Sequence, residues 1–190
     1  RSLRLVETQT GLSVDPPEAV DISTSLLGWA PDSSAVLVTV VGAEPARLLS
    51  ITPHGQVQER TPAGVSLDTT ADVFGSPTTH AAWLGADVVV RGTRDGETGW
   101  WSERASEVIA VNTLSDSARV VAQGRQAALF EDRGRILRLG SDLSPEDLGP
   151  TGTRSRALGI FGHRRQTDPM GASEAEVIGD SGQLCRVSAD

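Results

Sequence analysis

Apolar residues recur along the chain in short runs broken by Gly, Pro, Asp and Ser, and the spacing of an amphipathic helix is weak throughout. Ala35-Val36-Leu37-Val38-Thr39-Val40-Val41 and Asp87-Val88-Val89-Val90 are the densest of these runs. They are rich in β-branched residues, whose stiff side chains suit a pleated sheet, and turn-forming residues follow at intervals of about ten. The pattern predicts many short strands and little helix. The best helical candidate, from Ser144 to Leu148, opens Ser-Pro-Glu-Asp and is expected to be a one-turn element within a loop. Two tracts read as long loops: Thr61 to Pro77, rich in Thr, Asp, Gly and Pro, and Gly162 to Ser173.

The chain also repeats itself. Asp132-Arg133-Gly134-Arg135-Ile136-Leu137-Arg138-Leu139 is matched, 48 residues on, by Asp180-Ser181-Gly182-Gln183-Leu184-Cys185-Arg186-Val187. Upstream, Ala127, Leu129 and Phe130 correspond to Ala175, Val177 and Ile178. Each copy reads as an apolar strand, a tight turn closed by glycine and a second apolar strand, the signature of a β-hairpin. Weaker copies of the second strand are Arg47-Leu48-Leu49-Ser50-Ile51 and Leu3-Arg4-Leu5-Val6, and Asp95-Gly96-Glu97-Thr98-Gly99-Trp100-Trp101 is a more divergent one. Taking Leu5, Ile51, Leu139 and Val187 as equivalent, the intervals are 46, 88 and 48 residues, with Trp100-Trp101 dividing the 88. A repeat of that length is one four-stranded blade of a β-propeller. The expected fold is all-β, a β-propeller or a several-blade fragment of one. Residues 1–190 are expected to form a single repeat domain belonging to a larger propeller.

Leu26-Leu27-Gly28-Trp29 and Ala81-Ala82-Trp83-Leu84 each place an aromatic residue just before a β-rich run. Trp29-Ala30-Pro31-Asp32-Ser33-Ser34, followed by Ala35-Val36-Leu37-Val38, resembles the W-x-P-D-G segment of the TolB-like and dipeptidyl-peptidase-like β-propellers. That resemblance implies that Trp29 ends an innermost strand and that Pro31-Asp32-Ser33 turns the chain into the next. Proline presets such a turn and aspartate holds its free N–H groups. Trp29 and Trp83 are both expected to be largely buried.

Charge and chemistry narrow the function further. With 17 Lys plus Arg against 25 Asp plus Glu, the net charge of −8 opposes binding to nucleic acid or to an anionic lipid surface. The longest apolar stretch, Ala35 to Val41, is far short of the roughly 20 residues that span a bilayer. The start at Arg1, without methionine or apolar leader, fits a processed or excised piece, and an extracytoplasmic location is expected. Cys185 stands alone, which removes intrachain disulfides and CxxC motifs and leaves it a small apolar strand residue. His54, His80 and His163 are scattered without paired-ligand spacing, so neither metal nor cofactor is expected.

Two motifs suggest a nucleophile. Gly179-Asp180-Ser181-Gly182 matches the tetrapeptide around the serine of trypsin-like proteases, but Gln183 and Leu184 replace the residues that should follow. Ser181 also occupies the turn position held by Arg133 in the matching copy. Gly171-Ala172-Ser173-Glu174-Ala175 resembles a nucleophile elbow, yet polar residues precede it where a buried strand is required. No catalytic residues are assigned. The contact surface is sought instead at Trp100 and Trp101, which must point to opposite faces of a strand, and at the basic His163, Arg164 and Arg165. The expected function is a non-enzymatic propeller, a binding or scaffold module for another protein. The alternative implied by the resemblance is the non-catalytic gating propeller of a prolyl-oligopeptidase-like or dipeptidyl-peptidase-like serine hydrolase, with its catalytic domain outside this chain.

Overall fold

A computed structural model describes residues 5–6, 13–14, 24–30, 32–40, 45–71, 77–124, 126–150, 174–178 and 184–188. Every regular element among them is a strand. A two-stranded pair, β1 (Leu5–Val6) and β2 (Ser13–Val14), precedes a four-stranded antiparallel meander. That meander runs β3 (Thr24–Trp29), β4 (Val36–Val40), β5 (Arg47–Ile51) and β6 (Val57–Glu59). The connection beyond it carries three short strands, β7 (Ser66–Leu67), β8 (Thr69–Ala71) and β9 (Pro77–Thr79). A second meander follows as β10 (Ala81–Leu84), β11 (Asp87–Arg94), β12 (Glu97–Arg104) and β13 (Glu107–Ala110). The third is β14 (Arg119–Gln123), β15 (Ala127–Asp132), β16 (Arg135–Gly140) and β17 (Pro145–Pro150). A hairpin of β18 (Glu174–Ile178) and β19 (Leu184–Ser188) closes the series.

Three successive meanders, each packed face to face on the next, are the blades of a β-propeller. The alternation along each strand shows how the stack is held. In β4 and β5, Leu37 and Leu48 face the second blade, where they join Trp83, Val88, Val90 and Trp101 in one apolar cluster. Val36, Val38, Val40, Leu49 and Ile51 form a separate cluster on the opposite face. The second blade repeats the arrangement: Leu84, Val89 and Trp100 pack with Val120, Phe130 and Leu139 of the third. Trp100 meets Phe130 edge-on, with ring centroids 5.2 Å apart at 84°. A middle strand is therefore apolar on both faces, which explains near-continuous runs such as Val36 to Val40.

The turns follow the repeat. Asp95-Gly96 and Arg133-Gly134 join their strands as two-residue turns with positive φ at both residues, 52° and 83° in one and 50° and 74° in the other. These mirror-image turns match the twist of the strands they connect. At the Trp29 segment, β3 ends on Trp29, the N–H of Ser33 donates to the Ala30 carbonyl at 2.8 Å, and Asp32 Oδ1 accepts the N–H of Ser34 at 2.9 Å.

Several expectations need correction. Ser144 to Leu148 is not a helical turn: residues 145–150 are β17, paired with β16 from Leu139↔Pro145 to Arg135↔Pro150. Both prolines sit at the edge of the blade, where a missing N–H breaks no ladder bond. The tract 61–77 is not wholly loop, since β7 and β8 lie inside it; residues 72–76 lie outside the described residues. β7 pairs with the far half of β11 because Gly92 admits it, a Cβ there falling 2.4 Å from the Ser66 carbonyl oxygen. The hairpins of the 48-residue repeat both form, but their registers differ by one residue. Ala127 pairs with Gly140, whereas its counterpart Ala175 pairs with Val187, the counterpart of Leu139. Trp83 is buried at 2% exposure, while Trp29 is only partly buried at the rim of the outer cluster of the first blade.

Candidate binding groove between the first two blades

The first strand of each blade lies at a sheet edge, so its outward N–H and C=O groups need partners from elsewhere. Gln123, at the end of β14 and 6% exposed, supplies them for two other blades at once. Its Oε1 accepts the N–H of Trp83 at 3.1 Å, and its Nε2 donates to the Trp29 carbonyl at 3.4 Å. Gly28 leaves the room: a Cβ there would fall 2.3 Å from Gln123 Nε2, and its φ is +152°. The first strands of all three blades thus converge on one amide, which fixes how the first two blades sit against each other.

Toward the outer strands, the same two blades leave a groove of about 170 Å³, lined by Gln58, Glu59, Arg60, Thr61, Asp87, Val88, Glu103 and Ser106. Arg60 follows β6 and continues its pairing, donating its backbone N–H to the Leu48 carbonyl at 2.7 Å. Its guanidinium lies over the Trp83 ring, 5.4 Å from the centroid, and Nε donates to Ser50 Oγ at 2.9 Å. Burial lowers the Arg60 pKa from its ordinary value, and the negative charge of Asp87 opposes that shift. The carboxylates around it have other partners. Glu59 accepts from Arg47 Nε at 2.7 Å and from the Thr61 hydroxyl and N–H. Asp87 lies 3.3 Å from Arg104 Nε, and Glu103 accepts the N–H of Ala63 at 3.1 Å.

The arginines show a pattern. The chain has no lysine, so all 17 cationic side chains are guanidinium groups. Among the described residues, Arg47, Arg91, Arg94, Arg104, Arg119, Arg135 and Arg138 each have a carboxylate between 2.5 and 3.7 Å away. Arg133 sits in an exposed turn. Arg60, half-buried, has no carboxylate at such a distance among the described residues.

The residues expected to form a contact surface fall elsewhere. Trp100 and Trp101 do point to opposite faces of β12, but both faces are covered by neighbouring blades, leaving them 1% and 8% exposed. Their indole N–H groups are used internally, Trp100 donating to the Ser115 carbonyl at 3.1 Å and Trp101 to the Gly92 carbonyl at 3.0 Å. This corrects the expectation of a contact surface at Trp100 and Trp101: burial on both faces of a middle strand consumes the pair. His163, Arg164 and Arg165 lie outside the described residues, as do Ser173 and the Gly179–Gly182 tetrapeptide. His54 is exposed in a turn, and the His80 ring lies 6.5 Å from that of Trp100. No group of three or more His, Cys, Asp or Glu that could hold a metal ion occurs among the described residues. Arg60, Asp87 and Glu103 escaped the sequence reading because Arg60 comes from the first blade and the other two from different strands of the second, and no local motif joins them.

No family model and no curated protein sequence matches the chain. Among solved structures, the chain is similar to the crystal structure of TolB from Acinetobacter baumannii, at 12% identity and a TM-score of 0.49. The match covers 98% of this chain and 42% of that one, so the chain spans less than half the length of that protein.

Proposed function

We propose that the chain is a non-enzymatic β-propeller module that binds another protein, and that the groove beside Arg60 is part of its contact surface. The size and lining of the groove carry this reading. Pockets that enclose a whole small molecule are typically about 300–1,000 Å³ and mostly apolar. This one, at about 170 Å³, holds one side chain, and its walls are predominantly hydrogen-bonding groups. A groove of that kind reads a residue presented by a larger partner. β6, with Gln58 and Glu59 exposed on it, is an outermost strand that leaves one edge of the first blade open beside the groove.

The test is site-specific photocross-linking in the cells that make the protein, with a benzophenone side chain at Gln58 and, for comparison, at the exposed Asn112 in the turn after the second blade. A discrete adduct with another polypeptide from position 58 and none from 112 is the expected result. Absence of any adduct from position 58 refutes the proposal. A serine-directed fluorophosphonate probe tests the non-enzymatic half: no labelling is expected, and labelling abolished by Ser181→Ala overturns it.

A further inference from the structure

We infer that the groove receives the carboxylate of an acidic residue of the partner, on the guanidinium of Arg60. This rests on the reading that a partner docks there and adds the chemistry by which it is recognised. A guanidinium has five N–H donors in a rigid fork that matches a carboxylate. Arg60 uses its Nε on Ser50, and among the described residues no hydrogen bond or salt bridge engages its four terminal N–H groups. The guanidinium lies over the Trp83 ring and is tied at Nε to Ser50, so the group is already positioned.

The groove carboxylates do not fill that role. Glu59 is ion-paired with Arg47 and Asp87 with Arg104, Glu103 accepts a backbone N–H, and Asp87 reaches Arg60 through its charge alone. Glu59, Asp87 and Glu103 are balanced in number by Arg47, Arg104 and Arg60 itself, so the groove has no net charge before an anion enters. A half-buried guanidinium without a salt bridge among the described residues, where Arg47, Arg91, Arg94, Arg104, Arg119, Arg135 and Arg138 each have one, is a place prepared for an anion from outside.

The test follows the indole N–H resonance of Trp83, identified by its loss in Trp83→Phe, while the ¹⁵N-labelled full chain is titrated with acetyl-Gly-Glu-Gly-amide. The matching Gln peptide and free glutarate are run in parallel. The Glu peptide is expected to shift the resonance saturably and the Gln peptide to leave it in place. Loss of a charge-assisted fork should weaken binding of the Glu peptide by about tenfold to a hundredfold in Arg60→Gln. Arg60→Lys should also bind more weakly, since an ammonium keeps the charge without the fork. An unchanged remainder of the spectrum shows that each variant is folded.

Equal binding of the Glu and Gln peptides, undiminished binding by Arg60→Gln, or no saturable shift overturns the inference. Glutarate binding as tightly as the peptide overturns the polypeptide source and leaves a small carboxylate as ligand. The cross-link at position 58 separates this from the docking proposal. An adduct with a silent Glu peptide keeps the docking and removes the carboxylate. Peptide binding without an adduct does the reverse.

Discussion

Gln123 and Gly28 form a pair whose coupling can be measured. Gln123→Ala leaves the buried N–H of Trp83 without an acceptor, a loss of about 1–3 kcal/mol, and removes the bond to the Trp29 carbonyl, worth about 0.5–1.5 kcal/mol. Together these destabilise the protein by about 2–4 kcal/mol before any cavity is counted. Gly28→Ala acts from the other side, placing a Cβ 2.3 Å from Gln123 Nε2. The far end of a long side chain ordinarily moves away at little cost. Here it is held at both ends, so yielding to the Cβ means breaking one or both bonds. Most of the penalty of Gly28→Ala should therefore vanish once Gln123 is already alanine, leaving only the strain of an L-residue at φ +152°. Urea denaturation of the two single variants and the double variant closes the cycle, and the expected coupling is at least about 1 kcal/mol. Additive effects within about 0.5 kcal/mol would refute the bridging role.

Trp83→Ala empties the seam between the first two blades and should cost about 3–5 kcal/mol in thermal or urea denaturation. The two-residue turn Ala105-Ser106 has φ of 48° and 66°, a conformation that disfavours both residues, so Asn-Gly at these positions should stabilise the protein by about 1 kcal/mol, raising Tm by about 2–4 °C. The Arg135 side chain holds the Asp147 carboxyl below its ordinary pKa, assisted by the Gly149 N–H, and Ser144 does the same for Asp142. Because these values are lowered in the folded state, their stabilisation is complete above about pH 4 and is lost as pH falls through them. Acid unfolding monitored by tryptophan fluorescence should show a shallower loss below pH 4 in Asp147→Asn than in the parent protein.

What the sequence discloses depends on whether its signals are local. The hairpin of β15 and β16 was legible because turn, strand length and burial are all set by neighbours in the chain, and because a second copy repeats them. Trp83 was legible as core for the same reason. The strand at residues 145–150 was not, because Ser-Pro-Glu-Asp starts helices well and only the adjacent β16 converts it into an edge strand. The burial of both Trp100 and Trp101 was likewise hidden. Alternation shows that they face opposite ways, but covering both faces takes a blade on either side. The spacing of the third strands is uneven, with Arg47, Glu97 and Arg135 opening β5, β12 and β16, since β7 to β9 are inserted between the first two blades. Gln123 is the extreme case, its two side-chain bonds reaching two other blades, and Arg60 owes its Trp83 contact to the neighbouring blade.

The all-arginine basicity has a consequence for titration in alkali. The chain has no tyrosine either, so its base-titrating groups are Cys185, the terminal amine and guanidinium groups, whose ordinary range lies above that of lysine and tyrosine. An alkaline titration should therefore run flat where most proteins release protons from lysine and tyrosine.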